Sequence, residues 1–280
     1  MRRGTKITLF IGLGILIAGL VIVLVTLAIN RFRIPHITPE EIVAEKISED
    51  IDQGFADISI ATVSDKVTVR ASEDGKCHLE YTRDSYTDYK VRVEAGVLKI
   101  EAKEHDWNWK DWPDFIPELL EEGLSQIESA VKGESHDLIL YLPALNFGNV
   151  KIVNVSGGIS IAGDITADQV NLTTVSGAVS AAELKGVKNL NISGTSGSIT
   201  VENMVFGNGR INNVSGSVQL NNIDAETMHI ELTSGSVNGT IQFAKEFHVD
   251  TVSGSVHVPD GGEGLWEIET VSGSVNIELQ

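Results

Sequence analysis

A single cysteine, Cys77, stands in 280 residues, so no internal disulfide can staple this fold and no Cys/His spacing marks a structural zinc site. Positive charge is scarce as well. Against 39 aspartates and glutamates there are 21 lysines and arginines, a formal charge of -18, and a chain of that sign repels a phosphate backbone. No nucleic-acid partner is expected. What is present in ordinary amount is apolar side chain, 42% of the residues, which places the chain among folded proteins.

The N-terminus lacks charge in a more specific way. Ile7 to Ile29 is an unbroken run of uncharged, mostly apolar residues, long enough at roughly 1.5 Å per residue to cross a hydrocarbon core of about 30 Å. No small-x-small cleavage site follows it at Ala28-Ile29-Asn30-Arg31, so it reads as an uncleaved single-pass anchor over residues 1–30 rather than a signal peptide. The membrane is therefore the first expected partner. Arg2, Arg3 and Lys6 before the span slightly outweigh Arg31 and Arg33 after it, which biases the C-terminal part to the outside of the cell.

Residues 31–55 read as a juxtamembrane helix or linker. Thr38-Pro39-Glu40-Glu41 has a cap residue, a proline at the first helical position and a glutamate three residues after the cap, which predicts a short helix through Ile42 and Ile47. Residues 56–103 change to period-two alternation, as in Val67-Thr68-Val69 and Val91-Arg92-Val93, with a turn at Glu73-Asp74-Gly75-Lys76. Residues 104–136 interrupt the strands. Trp107, Trp109, Trp112 and Phe115 are followed by Ile116, Leu120, Leu124, Ile127 and Val131, whose spacing places them on one face of an amphipathic helix. That insertion either flanks the hydrophobic end of the following repeats or offers its four aromatics to a partner.

From residue 137 to 280 the sequence repeats. Ser-Gly-Ser-Val or a near variant recurs with glycines at Gly157, Gly177, Gly197, Gly216, Gly235, Gly254 and Gly273. A unit of that length cannot bury its own apolar side chains and must stack on its neighbours. The expected fold is all-β, a single-stranded β-helix of 19–20-residue rungs. Val63-Ser64-Asp65-Lys66-Val67 has the outline of a degenerate first rung without its glycine.

Counted from each repeat glycine, apolar residues recur at seven before, five before, two before and two after. All four columns, including Val155, Val175, Val214, Val252 and Val271 at two before, are expected to face inward. The glycine is expected at a corner that needs positive φ. The serines before it, Ser156 to Ser272, read as architecture, with hydroxyls bonding up the stack or to the turn. A nucleophile is needed once rather than in every rung, and no histidine base recurs beside them.

The outward positions six and four before each glycine carry more chemistry. In the last three rungs they hold His229, Glu231, His248, Asp250, Glu267 and Glu269, on rungs stacked about 4.8 Å apart. Imidazole and carboxylate at that spacing are competent ligands for zinc or manganese, against the alternative of a solvated acidic face. No cofactor is expected.

Asp137-Leu138-Ile139-Leu140-Tyr141-Leu142-Pro143, the ladder of Val-Ser-Gly-Ser-Val units after it, and the Gly96-Val97-Leu98-Lys99-Ile100 strand before it together resemble a bacterial family of putative adhesins, a domain of unknown function. The resemblance covers roughly residues 55 to 280 and implies a β-helix, often membrane-anchored, with no catalytic residues to carry over. The expected function is accordingly a non-enzymatic surface or envelope protein that binds a protein, a glycan or another copy of itself. Two alternatives stand beside it. One is a cytoplasm-facing scaffold that self-assembles through its C-terminal rung, whose backbone has no cap in this sequence. The other is a polysaccharide-acting β-helix enzyme, disfavoured because the loops are too short to build a cleft.

Overall fold

Period-two alternation with β-branched residues dominates the chain, and every regular element among the described residues is a β-strand. The computed structural model describes residues 44–83, 88–102, 137–260 and 264–279. The expected membrane span and the Trp-rich insertion lie outside them. Among the described residues no helix is long and apolar enough to cross a membrane.

The strands join into one sheet wound as a β-solenoid of about six turns with rungs of about 19 residues. The seven repeat glycines bound six intervals of 19 or 20 residues. Pairing between rungs is parallel and follows the repeat. Val150 lies beside Val170 and Ile152 beside Leu172, then Leu190 beside Gly209 and Ile192 beside Ile211.

Asp57–Thr62 and Lys66–Ala71 form the degenerate first rung. Ile58 and Ile60 pair with Val150 and Ile152, and Val67 and Val69 with Ile159 and Ile161. Val63-Ser64-Asp65 thus occupies the position of a Val-Ser-Gly corner. Below it, Val97–Ala102 pairs in parallel with the first of these strands and Asp137–Leu142 with the second. The strand ends Ala102 and Asp137 therefore fall where the other rungs have the two sides of their Ser-Gly corner.

At this end the chain also turns antiparallel. Tyr89–Glu94 pairs with Val97–Ala102 through Ala95 and Gly96, both at positive φ, the conformation that lets a two-residue turn match strand twist. Glu45–Asp50 pairs antiparallel with His78–Arg83. The end of the helix expected through Ile47 is thus a strand: Ile47 pairs with Tyr81 and packs against the core, and that pairing overrides the local capping signal.

The core is continuous from end to end. Columns seven before, five before and two after the glycine face inward, with Ile152, Leu172, Ile192, Ile211, Ile230 and Val249 all fully buried. The column two before does not. Val155, Val175, Val214, Val252 and Val271 are 44%, 49%, 49%, 38% and 69% exposed, which corrects the expected inward placement. Strand alternation carries inward facing from seven and five before to three before, so Asn154, Thr174, Asn213, Leu232 and Thr251 take the buried place.

The glycines have a reason more general than φ. Gly177, Gly197, Gly216 and Gly235 do adopt positive φ. In addition, a Cβ on any of the seven would collide with a backbone carbonyl of the adjacent rung, Asp65 for Gly157 and the preceding repeat glycine for the others. The corners stack too closely for a side chain.

The change from 20- to 19-residue rungs has a local cause. Ala182 pairs with Glu202, twenty residues on, whereas Val187 pairs with Phe206, nineteen on. One rung turns through Glu183 and Gly186, both at positive φ, and the next through Asn203 alone. Asn222 repeats that conformation and donates from Nδ2 to Oδ1 of Asn203 at 3.0 Å. Asparagine tolerates the left-handed region better than most residues.

Candidate functional site

The two outward positions six and four before each glycine lie on the sheet as predicted. Parallel register stacks Arg210, His229, His248 and Glu267 in one column and Asn212, Glu231, Asp250 and Glu269 in the next. His229 Nε2 lies 2.9 Å from Glu231 Oε1 and 3.7 Å from Asp250 Oδ2. His248 Nδ1 lies 3.2 Å from Glu267 Oε2, and the two imidazoles are 6.0 Å apart between centroids. Arg210 reaches Glu231 at 3.5 Å.

The six candidate residues therefore fall into a group of His229, Glu231 and Asp250, a pair of His248 and Glu267, and Glu269 at the end of the acidic row. Among the described residues no three His, Cys, Asp or Glu side chains converge as ligands of one metal ion. A nearly flat sheet face spreads side chains in parallel, where a metal needs them to meet. Trp107, Trp109, Trp112 and Phe115, the other candidate contacts, lie outside the described residues.

Beside the acidic row the chain bends into the corner, and here lies a groove of about 550 Å³ running across five rungs. Glu231, Asp250 and Glu269 form one wall, and the exposed Val214, Val252 and Val271 form the other. The valine wall escaped sequence reasoning because a recurring β-branched column resembles core. The alternation itself held the signal, since two before the glycine is odd relative to seven and five.

Backbone bonds hold the corner in place. Gly197, Gly216 and Gly235 donate their N–H groups to Ser215, Ser234 and Ser253 carbonyls of the next rung, at 3.1–3.2 Å. Stacking thus runs through the serine backbone, while the side chains of Ser215, Ser234 and Ser253 are exposed. Two buried asparagines add staples. Asn213 Nδ2 donates to Gly197 O at 3.0 Å, and Asn154 Nδ2 donates to Asp65 O at 2.7 Å while its Oδ1 accepts from the backbone of Ser156 and Gly157.

A second concavity of about 420 Å³ lies near the antiparallel end, lined by Arg70, Glu73, Asp74, His78 and Tyr141. His78 stacks on Tyr141 with centroids 4.2 Å apart. The Ser72 hydroxyl and the Lys76 N–H both donate to Asp74, which holds its carboxyl below the ordinary range. These bonds close the Glu73–Lys76 turn, so Asp74 is committed to shaping the loop.

A parallel β-solenoid with a stacked glycine corner, an acidic outward row and an exposed corner groove defines a repeat protein of the solenoid class. The chain belongs to the toastrack family DUF4097, whose model matches residues 55–280. It is similar to a solved putative adhesin from Bacteroides fragilis, at 16% identity over 83% of this chain and 97% of that one, with a TM-score of 0.46. It is also similar to a putative adhesin from Parabacteroides distasonis, at 13% identity over 85% and 97%, TM-score 0.45. A third likeness is a putative cell adhesion protein from Clostridium sporogenes, at 10% identity over 85% and 100%, TM-score 0.36. No curated protein matches in sequence.

Proposed function

We propose that the chain is a non-enzymatic binding scaffold of the bacterial cell envelope, anchored by the apolar run at residues 7–29, which presents its solenoid on the outer side of the membrane. The observation that carries this reading is the outward corner surface. Exposed valines and a carboxylate row run side by side across successive rungs, a linear pattern suited to contact with an extended partner. A chemical step would require one singular constellation, and a periodic surface favours recognition instead. The family match supplies the architecture, and the solved relatives described as adhesins bear names in keeping with this reading.

Protease shaving of intact cells tests the placement. The solenoid is expected to become accessible before lysis, as loss or release of an epitope tag at the C-terminus. Survival of the tag until lysis would remove the surface assignment and leave the cytoplasm-facing scaffold. Light scattering over a concentration series then reads that alternative, since self-assembly through the terminal rung makes the mass rise with concentration.

A further inference from the structure

We infer that the corner groove binds an extended basic peptide segment, with cationic side chains on the carboxylate row and small apolar side chains on the valine column. The inference deepens the reading of the chain as a binding scaffold. It is independent of which side of the membrane the solenoid occupies.

Four features of the groove support it. Glu231, Asp250 and Glu269 are in direct register on successive rungs, about 4.8 Å apart. Like charges set directly opposite on neighbouring strands oppose sheet formation, so the row is not explained by fold stability. Arg210 and His229 contact its first member, and His229 also reaches the second. Glu269 makes no ion pair among the described residues. Counting the imidazole as neutral, three carboxylates against one guanidinium leave the row with excess negative charge, on a chain that is itself at -18. The complement must be cationic.

The second feature is the opposite wall. Val214, Val252 and Val271 expose 49%, 38% and 69% of their surface, and together with the carboxylates they line one continuous groove. A free cation or a simple polyamine would use the acid row and leave this apolar wall wet. A peptide carrying both kinds of side chain covers both.

The third is periodicity. Two rungs span about 9.6 Å, and three residues of polyproline II span about 9.3 Å with every third side chain on the same face. A chain laid along the solenoid axis thus brings a cation to every second carboxylate, and its neighbouring face to Val214 and Val252, which are also two rungs apart. The fourth is chemical breadth in the walls, where Asn212 stands in the carboxylate column and Thr233 in the valine column, groups able to bond a peptide backbone.

The test is fluorescence anisotropy with the full chain and a labelled nonapeptide of three Lys-Val-Pro units. Saturable binding is expected, weakening as salt rises. E231Q/D250N/E269Q should weaken it by at least tenfold, and V214S/V252S by several-fold. E94Q/E101Q, which removes the same sign of charge from the antiparallel end, should leave it unchanged. Circular dichroism confirms that each variant is folded. The proposal is overturned by no saturable binding, by equal loss in E94Q/E101Q, or by a Lys-Ser-Pro nonapeptide or spermine binding as tightly as the valine peptide. The last outcome would mean charge attraction alone. Since binding is read in solution, a failed titration leaves the shaving result standing, and the converse also holds.

Discussion

At the scale of single residues the corner glycine is the most constrained position. At Gly216 the backbone has positive φ, and an added Cβ would run into the Gly197 carbonyl. Gly216→Ala is expected to cost about 2–4 kcal/mol, the sum of an unfavourable left-handed conformation and overpacking against backbone. Urea unfolding monitored by circular dichroism reads this as a lower midpoint. Cys77 gives a second prediction. It is buried among apolar side chains, and burial pushes its thiol up from the ordinary 9.0 to about 12. Iodoacetamide at neutral pH should leave the native thiol unmodified and label it only after unfolding. The raised value also sets a direction for stability. Above pH 9.0 the unfolded thiol ionises while the folded one keeps its proton up to about pH 12, so this contribution is intact below that window and is lost as pH rises through it.

Among elements, the strand leading into each corner carries both the core and the groove, in alternate residues. Ile211 is fully buried whereas Val214 is half-exposed. Ile211→Ala should therefore destabilise by about 2–5 kcal/mol, and Val214→Ser by no more than about 0.5 kcal/mol. Parallel unfolding curves of the two variants check the assignment of faces, and near-equal losses would contradict it. This strand also marks how far the sequence could be read. Its residues at seven and five before the glycine are apolar in nearly every rung, so their inward facing was legible from pattern alone. At three before, Asn154, Thr174, Asn213 and Thr251 are buried yet polar. Polar residues in the core read as surface, and the valines beside them then read as core. The asparagines are buried because they bond the neighbouring corner, a long-range partner that sequence spacing does not reveal. The candidate histidines and carboxylates were placed on the right face by the same alternation. Their separation into a group and a pair depends on side-chain reach, which register alone leaves open.

For the solenoid as a whole, each rung contacts chiefly its neighbours, so stability accumulates rung by rung. Removing residues 216–234 excises one 19-residue unit and brings Ser215 directly before Gly235, which preserves both the corner motif and the register. The shortened chain should fold with a β-type spectrum, a lower unfolding midpoint and a smaller denaturant slope, because less surface is exposed on unfolding. Loss of the β-spectrum would show that the rungs are not interchangeable. Size and speed diverge in such an architecture. From Asn146 onward pairing between rungs joins residues 19 or 20 apart almost throughout, so adding rungs there lengthens the solenoid without lengthening the typical loop that folding must close.

The rung beneath the first corner has a wider meaning. Its two strands, Val97–Ala102 and Asp137–Leu142, hold their register although 34 residues, 103–136, separate them in the sequence, against two between the strands at most Ser-Gly corners. The corner of this end rung is therefore a graft point, at which chain can be spliced in while the strands on either side keep their partners. The later Ser-Gly corners, whose glycines stack with no room for a Cβ, are closed to such splicing. New recognition segments can therefore be acquired by insertion at the antiparallel end of the solenoid, without redesign of the core.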